Sequence, residues 1–214
     1  MKKGLNLTLL LTFFALFVSC GDAKQSENAQ QSNNNANITT PTSNTATVEV
    51  DPAEIEVTLV KYSDYQCPAC KYFIPIETEI KKEFGNRVQI VNKNFPLTSH
   101  QYSQLAARAA EAAKKQGKFN EMHHKIFDGQ EQWSRGNAES LFTGYAKSIG
   151  LNMDQFKEDL HSLELQRKIM MDKQEGIVKG VSSTPTFFIN GDKIESNPGS
   201  YPQFRAVIVQ YLKK

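Results

Sequence analysis

Apolar positions set the elements of this chain from about residue 55 onward. Ile55, Val57, Leu59 and Val60 alternate with polar residues and then run together, as a strand entering a sheet does. Tyr72, Phe73, Ile76 and Ile80 follow at spacings near three and four, which predicts an amphipathic helix. Gly85 and Asn86 offer it a stop, and Val88 to Asn94 reads as a second strand. Between Ser99 and Gly180 no strand pattern recurs. Helical stripes fill that stretch: Leu105, Ala109 and Ala112; then Phe119, Met122, Ile126 and Phe127; then Leu141, Phe142, Tyr145 and Ile149. A fourth helix runs through Met153, Phe156 and Leu160 behind a capping Asn152, and a fifth from about Leu163 to Lys179. Strand character returns at Thr186-Phe187-Phe188-Ile189. Asn190-Gly191, set before Lys193-Ile194-Glu195, is a hairpin signal, because a type I′ turn needs positive φ at both central positions. A last helix spans about Tyr201 to Leu212 through Phe204, Val207 and Ile208. The order is βαβ, a helical insertion at about 97–180, then ββα: an α/β chain whose first two strands are parallel by a right-handed crossover.

Ahead of these elements the pattern differs. Lys2 and Lys3 precede an apolar stretch from Leu9 to Val18 broken only by Thr12, which is a secretory signal pattern too short to span a bilayer. It runs into Phe17-Val18-Ser19-Cys20, similar to the lipobox of bacterial lipoproteins, with Phe17 in place of the usual Leu. Cleavage after residue 19 and lipidation of Cys20 are the expectation. Gly21 to about Val48 is rich in Asn, Gln, Ser, Thr and Ala with almost no large apolar residues, so residues 20–50 read as a lipidated cysteine and a disordered tether. Such a tether reaches roughly 30 Å on average, enough to hold a domain clear of a membrane surface. Residues 51–214 then form one domain, with enough apolar residues for a core.

Charge narrows the partners. Lys2 and Lys3 are the only charged residues of the first 19, so the 25 basic residues become 23 after cleavage, against 23 acidic ones. A near-neutral chain lacks the phosphate-neutralising surface that nucleic acid requires. The 3 cysteines divide in the same way: with Cys20 lipidated, Cys67 and Cys70 remain as one pair in an exported chain.

Cys67-Pro68-Ala69-Cys70 can be half of a zinc site, a structural disulfide or a redox couple. A zinc site needs two further ligands. The histidines His100, His123, His124 and His161 offer no closely spaced second pair; His123 and His124 are adjacent on a helix and diverge by about 100°. Each reads better as a surface or satisfied helix residue, and no metal or cofactor is expected. Closing so short a loop stabilises a fold little, which disfavours a purely structural disulfide. The motif instead opens the first predicted helix, with Pro68 in a first turn that has no use for its missing N–H. Free N–H groups and the positive helix end there favour a thiolate at Cys67. Cys67 is then the attacking nucleophile and Cys70 the resolving thiol.

A second constellation is Val181-Ser182-Ser183-Thr184-Pro185-Thr186, a proline opening a strand. With Tyr62-Ser63-Asp64-Tyr65-Gln66 before the cysteines, Asn94-Phe95-Pro96-Leu97 before the alanine-rich helix, and Thr184-Pro185 before Phe187-Phe188-Ile189-Asn190-Gly191, the chain from about Ile55 to Leu212 resembles the DsbA-like family. The resemblance implies a thioredoxin fold (βαβ…ββα) with a helical insertion between the two halves. It also implies a cis Thr184-Pro185 peptide beside the cysteines, its backbone pairing with an extended substrate.

One position departs from that family. Six residues before Cys67, where the family often carries an acid that helps move the second cysteine's proton, stands Lys61. A lysine there is expected to snorkel to solvent with little effect; close to the sulfurs, its charge would favour thiolate. Lys61, Pro68 and Ala69 are thus the residues expected to modulate redox poise, Ala69 bringing neither charge nor a hydrogen-bonding side chain. The resemblance implies a thiol:disulfide oxidoreductase of the cell envelope, lipid-anchored and facing the periplasm or exterior. It would exchange the Cys67–Cys70 disulfide with cysteine-containing exported proteins, as an oxidant, and be reset by a membrane or soluble redox partner. Reduction or isomerisation is the alternative within that class, and a non-catalytic peptide- or metal-binding lipoprotein is the alternative outside it. No added dimerisation domain is evident, which points to a monomer.

Overall fold

The computed structural model describes residues 54–212. The apolar leader, Cys20 and the polar tether lie outside the described residues. Four strands form one sheet in the order β2-β1-β3-β4: β1 is Val57–Ser63, β2 Val88–Asn94, β3 Thr186–Ile189 and β4 Asp192–Lys193. β1 pairs with β2 in parallel, from Val57 beside Val88 to Ser63 beside Asn94, and with β3 antiparallel, Leu59 beside Ile189. Asn190 and Gly191 both take positive φ, 49° and 93°, so the expected hairpin turn joins β3 to β4. The mixed sheet with its βαβ and ββα halves is the thioredoxin fold.

The helix expected after β1 is two helices, α1 (Pro68–Tyr72) and α2 (Ile74–Phe84). Pro75 accounts for the break: it has no N–H to bond the carbonyl one turn back, at Lys71. The Phe73 N–H instead bonds Cys70 O at 3.2 Å. Between β2 and β3 stand α3 (Ser103–Lys115), α4 (Phe119–Asp128), α5 (Gln130–Trp133), α6 (Ala138–Ser148), α7 (Met153–Leu160) and α8 (Leu163–Val178); α9 (Tyr201–Leu212) follows β4. The single turn α5 has no counterpart in the hydrophobic pattern, which reads 119–127 as one stripe and then lapses.

Alternation along β1 divides the interior. Val57 and Leu59 point to one face, where Phe73, Ile76 and Ile80 of the dithiol helices meet Phe204 and Ile208 of α9. Tyr62 points to the other, against Phe95, Val181 and Phe188. The largest cluster belongs to the helical insertion, around Trp133, Phe142 and Phe156, and it includes Tyr65, Cys67, Cys70 and Ile74. The dithiol is therefore clamped between the sheet half and the insertion.

Candidate active site

Cys67 is the N-cap of α1, with φ −77° and ψ 120°, at 7% exposure; Cys70, one turn on, has none. Both are free thiols. Their environments push them in opposite directions. The Cys67 pKa falls to about 5, first through the hydrogen bond from the Cys70 thiol and then through Thr184 and the backbone N–H groups of Cys70 and Ala69, against an opposing push from burial. Burial drives Cys70 upward, reinforced by its hydrogen bond to Cys67 and by the neighbouring thiolate charge. A five-residue helix thus contributes mainly through individual N–H groups, and the second cysteine is the main stabiliser of the first.

The Thr184-Pro185 peptide is cis. As a thiol, Cys67 Sγ donates to Thr184 O at 3.4 Å. The Thr184 hydroxyl is buried without a hydrogen-bond partner and is one of the groups that favour the Cys67 thiolate. The fold thus brings Thr184 and Pro185 to the cysteines from more than a hundred residues away.

Hydrogen bonds hold the loop before α1 from three sides. Asp64 Oδ1 accepts the Gln66 N–H at 2.7 Å, while Oδ2 accepts the Leu97 N–H at 2.7 Å and bonds His100 Nδ1 at 2.9 Å. The Asp64 carboxylate is thereby committed to the loop, and its own N–H donates to Cys70 Sγ at 3.5 Å. From α5, Gln130 Nε2 donates to Tyr65 O at 2.7 Å and to Cys67 O at 3.0 Å. Tyr65 Oη shares a 2.7 Å hydrogen bond with His123 Nδ1 on α4. Gln130 and His123 were not legible as site residues, since their partners lie 63 and 58 positions away.

Lys61 corrects the sequence reading. It does not snorkel: it is fully buried, ion-paired to Glu77 of α2, with its ammonium 5.6 Å from the centre of the Phe127 ring. β1 is an interior strand and Lys61 shares the face of Val57 and Leu59, so its side chain runs under α2 and has no path to water. Glu77 compensates a charge that could not otherwise be buried. A signal existed: Cys70, Ile74 and Glu77 repeat at helical spacing, which places an acid on a buried stripe.

Along α1 the surface beside the dithiol is largely apolar. Pro68, Tyr72, Pro75, Phe127 and Tyr201 border a groove of about 580 Å³, with Lys71 at its edge. Pro68 and Ala69 are exposed next to Cys67, so an incoming chain would meet both. Among the described residues, no group of three or more His, Cys, Asp or Glu side chains is arranged to hold a metal ion.

A family model described as Thioredoxin matches residues 53–209. Among curated proteins, the chain is 38% identical over 151 residues to the Na(+)/H(+) antiporter NhaA 1 of Salinispora arenicola, covering 70% of this chain but 22% of that protein. The chain therefore spans about a fifth of that relative's length. Among solved structures, oxidised BdbD from Bacillus subtilis superposes with a TM-score of 0.66 at 28% identity, covering 74% of this chain and 89% of that one. Wolbachia pipientis alpha-DsbA1 shares the fold with a TM-score of 0.66 at 22% identity, covering 74% of this chain and 87% of that one.

Proposed function

From the premise that this chain belongs to the thioredoxin family and is a DsbA-like thiol:disulfide oxidoreductase, we propose that it is an extracytoplasmic oxidant that passes the Cys67–Cys70 disulfide to exported proteins. The carrying observation is the asymmetry of the pair: a Cys67 thiol drawn down to about 5 beside a Cys70 held up by burial. Groups that favour the Cys67 thiolate stabilise the reduced protein, and a stabilised reduced form makes its disulfide a stronger oxidant.

The chemistry follows from that asymmetry. A substrate thiolate attacks Cys67 Sγ, the more exposed sulfur of the disulfide, and Cys70 leaves with the bonding electrons. A second substrate thiolate then attacks the substrate sulfur of the mixed disulfide. Cys67 departs as a thiolate stabilised by Cys70, Thr184 and the N–H groups of Ala69 and Cys70. The backbone at cis-Pro185, next to the exposed Ser182 and Ser183, suits pairing with an extended substrate, and the apolar groove of Tyr72, Phe127 and Tyr201 suits its side chains. A membrane or soluble redox partner then reoxidises the dithiol.

The lipobox-like Phe17-Val18-Ser19-Cys20 and the polar run after it support lipidation at Cys20 and an anchored protein facing the periplasm or exterior, acting as a monomer. Trapping tests the exchange reaction. A Cys70→Ser chain should accumulate mixed disulfides with cysteine-containing exported proteins, whereas Cys67→Ser should form none; equal trapping by both would overturn the role of Cys67.

A further inference from the structure

Cys70 has no exposed surface, yet under the function proposed above its sulfur leaves as a thiolate each time a substrate attacks Cys67. That thiolate needs a proton. Lys61, at the strand position beneath the site, is held by Glu77 and sits over the Phe127 ring.

A different polar route reaches Cys70. The N–H of Asp64 donates to Cys70 Sγ at 3.5 Å, which sets the preceding residue, Ser63, near that sulfur; Ser63 is among the groups that favour the Cys70 thiolate, and its hydroxyl is buried without a hydrogen-bond partner. Ser63 also lines an internal cavity of about 10 Å³, together with Asn92, Glu111 and His123. That is about the space one water occupies. A second cavity, about 250 Å³, shares Asn92 and His123 with the first and reaches Thr78, Lys81, Asn120 and His124, all exposed. Ser63 Oγ, Asn92 Oδ1 and His123 Nε2 are buried polar atoms without partners, and all three border the inner cavity. Buried groups of this kind are ordinarily satisfied by protein or by ordered water.

We propose that His123 relays protons between solvent in the outer cavity and a water in the inner one, which serves Cys70 through the Ser63 hydroxyl. As the substrate sulfur bonds to Cys67, the Cys67–Cys70 bond breaks and its electron pair stays on Cys70 Sγ. His123, neutral with its Nδ1–H donating to Tyr65 Oη, takes a proton from the outer cavity on its free Nε2. Cys70 takes a proton from Ser63, Ser63 recovers one from the inner water, and the water recovers one from the Nε2–H of the imidazolium, which returns to neutral.

Several charged or titratable groups surround the ring: Lys61 from β1, Tyr65 from the loop before α1, Glu77 and Lys81 from α2, Lys93 from β2, Glu111 from α3 and His124 on its own helix. Burial, then Lys61, His124 and Lys81, hold the His123 pKa well below 6.5. The ring is therefore neutral at rest and releases an acquired proton readily.

The test follows the full-length protein, loaded as its Cys67–glutathione mixed disulfide, while Cys70 attacks and releases glutathione, by stopped flow across pH. This step runs the same relay in reverse. His123→Phe should slow resolution about 10²-fold and alter its pH profile, the loss expected for a positioned proton carrier. In a Cys70→Ala background it should slow iodoacetamide alkylation of Cys67, which reports displacement of the dithiol loop alone, far less than it slows resolution. Ser63→Ala carries the same expectation and serves if His123→Phe fails to fold. Resolution at the wild-type rate in either folded variant overturns the relay, as does an equal slowing of Cys67 alkylation. A wild-type Cys67 that alkylates no faster than an ordinary thiol strikes instead at the functional reading on which the relay rests.

Discussion

Lys61 on β1 and Glu77 on α2 form an ion pair sealed inside the protein, with exposures of 0% and 6%. The pair sets a lysine on the strand beneath the dithiol and neutralises it from the helix that continues the dithiol helix.

That burial makes the pair costly to break and easy to replace. Glu77→Ala leaves an uncompensated ammonium and should destabilise the protein by about 3–5 kcal/mol in urea unfolding. The double variant Lys61→Met/Glu77→Leu should recover most of that loss, because two apolar side chains need no partner. Equal unfolding midpoints for the single and double variants would contradict the account.

The thiolate at Cys67 depends first on Cys70. In Cys70→Ala the Cys67 pKa should rise from about 5 toward the ordinary thiol value of about 8.5, read from thiolate absorbance during a pH titration. The pH dependence of stability has a definite sign. Cys67 is depressed in the folded dithiol, so its contribution is present above the unfolded pKa of about 8.5 and is lost as pH falls through about 5. The reduced protein should therefore gain stability relative to the disulfide form as pH rises across that window. Above it Cys70, whose folded pKa is raised, works in the opposite direction.

Thr184 acts on the same sulfur. Thr184→Val keeps the shape and removes the buried hydroxyl that favours the thiolate. The Cys67 pKa should rise and alkylation near neutral pH should slow, with little change in unfolding midpoint. An unchanged titration would remove the hydroxyl from the account.

Gly176 on α8 is required by close packing. A Cβ there would come within 2.8 Å of the Phe95 ring and 2.9 Å of the Tyr62 ring. Alanine favours a helix over glycine by about 1 kcal/mol, whereas overpacking a core costs about 1–3 kcal/mol. Both rings belong to a packed cluster that cannot easily yield, so Gly176→Ala should lower the urea midpoint rather than raise it.

What the sequence disclosed was local. Asn190-Gly191 gave the turn, Cys67-Pro68 the start of a helix, and the two hydrophobic periods gave β1, β2 and the insertion helices, because each rests on neighbours in the chain. The ordered motifs around Tyr62, Asn94 and Thr184 carried the fold. The Lys61 environment was misread because snorkelling depends on whether a strand lies at an edge, which only sheet order decides. Gln130 and His123 act on the dithiol loop across the insertion, through contacts no periodicity encodes. The break at Phe73 was legible in principle from Pro75, but the apolar stripe runs straight across it.

The central claim is that the Cys67–Cys70 pair is an oxidant, and its reduction potential tests this most directly. Equilibrating the purified protein with glutathione buffers should give a value well above the about −270 mV of thioredoxin, between about −200 and −120 mV. A potential at or below about −270 mV would contradict it, and would mark the protein as a reductant despite its stabilised Cys67 thiolate.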